Sequence, residues 1–214
     1  MSIEIELKFA IDKVPVALKK FPLIGKSRQV DMYYDTSDYA FLRRGGFWRL
    51  RDEVRLDFKG QLPGENTNQH DYCNEFSFNR KEIPIKSDQI NKILHAFGMN
   101  IQNAYEGMTD FLLKNKMSAI CIINKHRKEY QITKDMKVAI DNVKDIGLFL
   151  EAETEVPTGT PEIEIKYAIE KMRMTLVANG ILPPDAKGVD VGYVELFLYK
   201  HNRAAHDVGL YKVK

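Results

Sequence analysis

Ile3-Glu4-Ile5-Glu6-Leu7-Lys8 alternates aliphatic and charged side chains, with two carboxylates and an ammonium on one parity. In a β-strand alternate residues share a face, so Glu4, Glu6 and Lys8 are expected to project together while the aliphatic residues face the other way. Two carboxylates about 7 Å apart along a strand repel unless positive charge sits between them. A divalent cation answers that need, and Lys8 can share in the balance.

Working outward, the period of two continues. Strands are expected over 2–9, 27–36, 46–53, 54–60, 72–79, 118–133, 137–142 and 148–155. Helices are expected over 87–97, behind Ser87 as N-cap and before Gly98, and over 162–179, closed by Gly180 and then Pro183-Pro184. A shorter helix is expected over 14–20, and the Pro-, Gly- and Asn-containing stretch 61–71 reads as a mobile loop. Arg49 and Arg51 share a strand face, as do Arg55, Asp57 and Lys59, Lys125 and Arg127, and Glu151, Glu153 and Glu155. If the helices cover the apolar side of the sheet, the charged faces gather on its concave side. The expected fold is therefore α+β, a closed eight-stranded antiparallel β-barrel whose polar lumen suits a polyanion held with metal ions.

The 214 residues suit a single domain spanning 1–214, with 201–214 as a tail that either caps one mouth or stays loose. Hydrophobic residues make up 44% and charged residues 29%, as in soluble globular proteins, and the net charge of +2 points to no particular partner. Cys73 and Cys121 are too few for a disulfide scaffold, and no stretch is apolar enough to span a bilayer, so a cytoplasmic protein is expected. Neither G-x-x-x-x-G-K-[ST] nor G-x-G-x-x-G occurs, so phosphate recognition must come from side chains. His70, His95, His126, His201 and His206 show no zinc spacing, and His126, between Lys125 and Arg127, should face outward.

The opening Glu-x-Glu-x-Lys is followed in order by Tyr33-Tyr34-Asp35-Thr36, Arg49-x-Arg51, Phe58-Lys59-Gly60, Lys125 and Arg127, Asp141, and Gly147-x-Phe149-x-Glu151-x-Glu153. Together these resemble the CYTH superfamily, or triphosphate tunnel metalloenzymes, over nearly the whole chain. The motif alone is weak, because Glu162-Ile163-Glu164-Ile165-Lys166 repeats it within a helical pattern. There, residues two apart lie roughly 200° apart around the axis and cannot act together.

The resemblance implies an eight-stranded tunnel that binds a triphosphate and Mg²⁺ or Mn²⁺. Charge chemistry and the family pattern assign Glu4, Glu6, Asp141, Glu151 and Glu153 as metal ligands, with Glu75 added by parity. Arg49, Arg51, Lys59, Lys125 and Arg127 are assigned to phosphate oxygens. Lys187 resembles a late basic residue of the thiamine triphosphatase branch. The family further suggests that Lys8 and Tyr33 act on the attacking water, with burial lowering the Lys8 pKa and Glu4 and Glu6 raising it. Phe47 shares the face of Arg49 and Arg51 and is expected to meet an organic head group, whereas Trp48 turns toward the helices.

The expected activity is hydrolysis of thiamine triphosphate or inorganic tripolyphosphate, with a small-molecule triphosphate as partner, no nucleic acid or membrane, and a monomeric or homodimeric state. A class IV-type adenylyl cyclase and a non-enzymatic polyphosphate-binding module are the alternatives.

Overall fold

Several strands are buried on both faces rather than alternately: residues 48–50, 56–58, 138–141 and 149–152 form continuous buried runs, so charged side chains as well as apolar ones are covered. The computed structural model describes residues 2–60, 74–99, 103–157 and 159–213. Cys73 and the 61–71 loop lie outside these residues. The chain divides into two compact units, one of Met1–Arg28 with Lys125–Asp190 and one of Gln29–Asn124 with Val191–Lys214.

The strands are β1 (Ser2–Ala10), β2 (Leu23–Thr36), β3 (Phe47–Arg51), β4 (Arg55–Gly60), β5 (Asn74–Asn79), β6 (Met117–Thr133), β7 (Met136–Val143) and β8 (Gly147–Pro157). The helices are α1 (Ser87–Ala96), α2 (Met108–Lys114), α3 (Glu162–Ala178), α4 (Tyr193–His201) and α5 (Arg203–Val208), with 3-10 turns at Val16–Lys20 and Leu42–Arg44. In the first unit, β1 pairs with β8, β8 with β7, and β7 with β6, all antiparallel. In the second, β2 pairs with β3, β3 with β4, and β4 with β5, again antiparallel. The long strands β2 and β6 belong to both units, and the strand order reads β1-β8-β7-β6-β2-β3-β4-β5. An eight-stranded antiparallel sheet of mixed α+β class is thus borne out. A β1–β5 ladder, which would close the expected barrel, is not part of that order among the described residues.

In the first unit Ile5 and Phe9 of β1 are buried, α3 packs on β1 through a face carrying Ile165, Met172 and Leu176, and the Arg173 guanidinium lies 5.3 Å from the Phe9 ring centre. In the second, Trp48 of β3 and Phe58 of β4 enter a core with Ile90 and Leu94 of α1 and Phe111 of α2. Trp48 lies 4.9 Å from Phe111, ring centre to ring centre, so it faces the helices as parity required. Gly60 is explained by backbone proximity, because a Cβ there would lie 2.8 Å from the Gly46 Cα.

Several boundaries differ from expectation. Ser87 is not the cap of α1: Lys86 occupies that position, while the Ser87 hydroxyl donates to the Ile83 and Pro84 carbonyls and accepts from the Tyr105 N–H. Residues 52–54 form a turn rather than strand, with Asp52 and Glu53 left-handed and Asp52 Oδ1 accepting from the Val30 N–H at 2.8 Å. Within 202–210, α5 is capped by the Asn202 side chain, and the Leu210 N–H donates to the Leu42 carbonyl at 2.8 Å.

Candidate active site

The two units carry charged faces of different composition. In the first, the β1–β8 register sets Glu6 opposite Glu153 and Lys8 opposite Glu151, and the β6–β7 register sets Arg127 opposite Asp141. Lys8 Nζ lies 2.9 Å from Glu6 and 3.2 Å from Glu151. Arg127 forks onto Asp141, with Nε–Oδ1 2.8 Å and Nη2–Oδ2 2.7 Å, and also donates to Glu151 and to Glu153, the latter at 3.1 Å. Lys125 Nζ reaches Asp141 Oδ2 at 2.9 Å. Lys125, Asp141 and Glu151 are buried, and Glu4 is exposed.

Burial raises the cost of every charge here, and the partners decide which survive. For Lys8, burial favours the neutral amine, but Glu6 and Glu151 outweigh it and hold the group above its ordinary range. Burial likewise works against the Glu151 carboxylate, yet Lys8, Lys125 and Arg127 pull it below the usual carboxylate range. Glu153 is pushed up to about 7, by burial first and then by Glu4, Glu151 and Glu6 against the opposing pull of Arg127. The two effects on Lys8 left open by the sequence therefore resolve in favour of the ammonium.

Of the residues assigned above, the carboxylates Glu4, Glu6, Asp141, Glu151 and Glu153 and the cations Lys8, Lys125 and Arg127 lie on strands of this unit, and Lys137 stands opposite Glu153. The hard oxygen donors of this set fit a divalent ion such as Mg²⁺ or Mn²⁺. Among the described residues no three acidic, His or Cys side chains converge as a preformed metal cluster, and those at the centre of this face are paired with Lys8, Lys125 and Arg127. Lys187 is exposed on a loop whose Gly188 bridges to Phe9 and whose Val189 N–H donates to the Lys8 carbonyl at 2.8 Å.

The second unit is arginine-rich. Tyr33 pairs across strands with Arg49, Arg49 with Asp57, Phe47 with Lys59, and Lys59 with Glu75. The Glu75 side chain lies outside the described part of the structure. Arg51 forks onto Asp31 through Nε and Nη2, both at 2.7 Å. Arg49 donates to Asp57 Oδ2 from Nε at 3.1 Å and Nη2 at 2.7 Å. Asp57 also receives Arg55 and, at 2.8 Å, the Ser77 hydroxyl. Tyr33 meets Phe47 edge to face at 6.3 Å. Burial pushes the Tyr33 phenol up to about 12, with Asp31 adding and Arg49 opposing, so it is a protonated donor near neutrality.

The assigned metal-side residues other than Glu75 thus fall in the first unit with Lys8, Lys125, Arg127 and Lys187, while Tyr33, Phe47, Arg49, Arg51 and Lys59 fall in the second. Asp31 and Asp57 were not singled out as site residues from sequence. Strand parity held the signal, since Asp31 shares the face of Tyr33, and Asp57 that of Arg55 and Lys59. The repeated motif on α3 behaves as a helix surface, with Lys166 and Glu162 forming an exposed i,i+4 pair at 2.7 Å.

Comparison with known proteins adds three observations. The chain is 30% identical over 162 residues to a Methanocaldococcus jannaschii protein whose given name proposes adenylate cyclase activity, covering 72% of this chain and 78% of that one. Its fold is similar to that of the PH1819 protein of Pyrococcus horikoshii, with TM-score 0.63 and 22% identity over 92% of this chain and 99% of that one. It is also similar to the fold of a Hippeastrum protein, described as a proposed adenylyl cyclase that reveals a dominant triphosphatase activity, with TM-score 0.52 and 14% identity over 87% and 100% of the two chains. The family model for the CYTH domain matches residues 2–173, and the chain belongs to the CYTH domain family.

Proposed function

We propose that the protein is a divalent-metal-dependent triphosphatase that cleaves the terminal phosphoanhydride of thiamine triphosphate or inorganic tripolyphosphate and releases orthophosphate. The observation that carries this reading is the first-unit face, where Glu6, Asp141, Glu151 and Glu153 interleave with Lys8, Lys125 and Arg127 and where burial, with neighbouring carboxylates adding, pushes Glu153 up to about 7. Such a face has donors for a cation and for phosphate oxygens within one set of strands.

Glu4, Glu6, Asp141, Glu151 and Glu153 would hold Mg²⁺ or Mn²⁺, and Glu75 is kept as a further candidate. When bound, the ion supplies neutralisation of triphosphate charge and acidification of a nearby water. Arg127 and Lys125 would take up charge on the nonbridging oxygens, as would Arg49, Arg51 and Lys59, with Lys187 as a further contact. In the chemical step a water oxygen bonds the terminal phosphorus and gives up a proton to solvent, the bond to the bridging oxygen breaks, and the diphosphate, inorganic from tripolyphosphate or thiamine-linked from thiamine triphosphate, leaves with that electron pair. Lys8, held as an ammonium by Glu6 and Glu151, serves as a charge-bearing donor. A base role requires those ion pairs to break first. Tyr33 would orient the water as a neutral donor, and Phe47 would contact an organic head group. The proposal includes closure of the sheet into a tunnel, one catalytic domain over 1–214, a cytoplasmic location and a monomeric state, with a homodimer as the alternative. Among the described residues no helix is long and apolar enough to cross a membrane.

The name of the Methanocaldococcus jannaschii relative favours a second reading, an adenylyl cyclase. A product screen with thiamine triphosphate, tripolyphosphate, ATP and GTP under Mg²⁺ and Mn²⁺ separates them. Orthophosphate release, fastest from the ribose-free triphosphates, is the expected result. Cyclic AMP with pyrophosphate from ATP would replace this reading with the cyclase, and tight binding without turnover would leave a polyphosphate-binding module.

A further inference from the structure

Three guanidiniums crowd one face of the second unit. Arg49 and Arg51 are two apart on β3, and Arg51 stands opposite Arg55 across the β3–β4 ladder. Like charges directly opposite on a sheet repel, and each long side chain has rotamer freedom to escape. Two buried aspartates hold them in place against that repulsion. Asp31 is 2% exposed and Asp57 is fully buried.

The geometry of the grip is specific. Arg51 spends its Nε and Nη2 on the two oxygens of Asp31, a parallel fork of two 2.7 Å bonds. Arg49 spends the same edge on Asp57 Oδ2, while its Nη1 lies 3.7 Å from Asp31 Oδ2. Asp57 is itself braced by Arg55 Nη2, which donates to Oδ2 at 3.1 Å, and by the Ser77 hydroxyl at 2.8 Å. A guanidinium is planar, so fixing its Nε–Nη2 edge sets where its Nη1 end sits.

We infer that Asp31 and Asp57 are positioning residues that preset Arg51 and Arg49 for triphosphate oxygens, acting through the arginines rather than on the substrate. This rests on the triphosphatase reading above. A carboxylate beside a polyanion site lowers ground-state attraction, so its presence is understandable if orientation in the transition state is the return. The prediction is a split between binding and turnover: loosening the fork lowers kcat without weakening binding.

The test uses Asp31→Asn and the charge-retaining Asp31→Glu and Asp57→Glu, with tripolyphosphate as probe. Kinetics, calorimetric binding and side-chain NMR of the arginine Nε–H groups are measured on the folded fraction. Asp31→Asn is expected to lower kcat tenfold or more, with binding within twofold of wild type or tighter. The Glu variants, which move the carboxylate by one methylene, should lower kcat at least threefold with unchanged folding. If Asp31→Asn does not fold, the Glu variants decide alone. Wild-type kcat in the folded variants, or kcat and affinity falling together, overturns the inference. Should the wild type hydrolyse no triphosphate, the triphosphatase reading fails separately, and NMR decides. Nε–H resonances of Arg49 and Arg51 that shift on tripolyphosphate addition, and broaden in the Asp31 variants, support positioning, whereas no shift in the wild type ends it.

Discussion

At Glu153 the ordinary preference of a carboxyl group is reversed. Its folded-state pKa, about 7 against an ordinary 4.5, means the native protein holds this proton more tightly than the unfolded chain. Glu153 therefore supports the fold below about pH 4.5 and withdraws that support as pH rises to about 7, an effect of roughly 2 kcal/mol after discounting. Glu151 has the opposite sign: its stabilisation stands above the ordinary carboxylate range and is lost on acidification. In metal-free protein, Glu153→Gln should raise unfolding free energy by about 2 kcal/mol at pH 8 and by little at pH 4.5, as read by urea denaturation. An equal gain at both pH values would mean ionisation is not the cause. Phe47, half-buried and edge-on to Tyr33, is tested by Phe47→Ala. Thiamine triphosphate hydrolysis should fall about tenfold while tripolyphosphate hydrolysis holds, and parallel losses would remove the head-group contact.

At the scale of elements, Asp35 turns β2 into the following 3-10 turn. It is 1% exposed and accepts the N–H groups of Thr36 and Phe41 on Oδ1 and of Leu42 on Oδ2. Asp35→Ala strands these donors and should cost about 3 kcal/mol, measured by chemical denaturation. A loss under 1 kcal/mol would show that water replaces the carboxylate. The helix α2 is too short to hold itself together in water, and packing supplies what propensity lacks. Phe111, fully buried against Trp48 and Tyr105, anchors it. Phe111→Ala is expected to cost about 3–5 kcal/mol, and a protein melting like the wild type would show that the cavity collapses without penalty.

For the molecule as a whole, ligand linkage is the broadest check on the proposed function. Tripolyphosphate with Mn²⁺, supplied at 100 times the Kd, should stabilise the native state by about 2.7 kcal/mol and raise Tm by roughly 6 °C. Neither component alone should match that shift, because the first-unit carboxylates and cations now neutralise each other. A full shift with tripolyphosphate alone would remove the metal from the site.

Eight strands, the long helix α3 and the parity that turns Trp48 toward the helices and sets Arg127 opposite Asp141 were legible in the chain, because side-chain alternation is a local property of a strand. The same locality exposed the second Glu-x-Glu-x-Lys as helical. Short helices such as α2, α4 and α5 were not legible, since they exist through contacts that neighbouring residues do not encode. Nor was the partner of each charge. Tertiary structure alone decided that Lys8 stays an ammonium, that burial pushes Glu153 toward neutrality, and that Asp31 and Asp57 grip the arginines. Those outcomes depend on burial and on distances of about 3 Å between strands far apart in sequence, where electrostatic energies are settled.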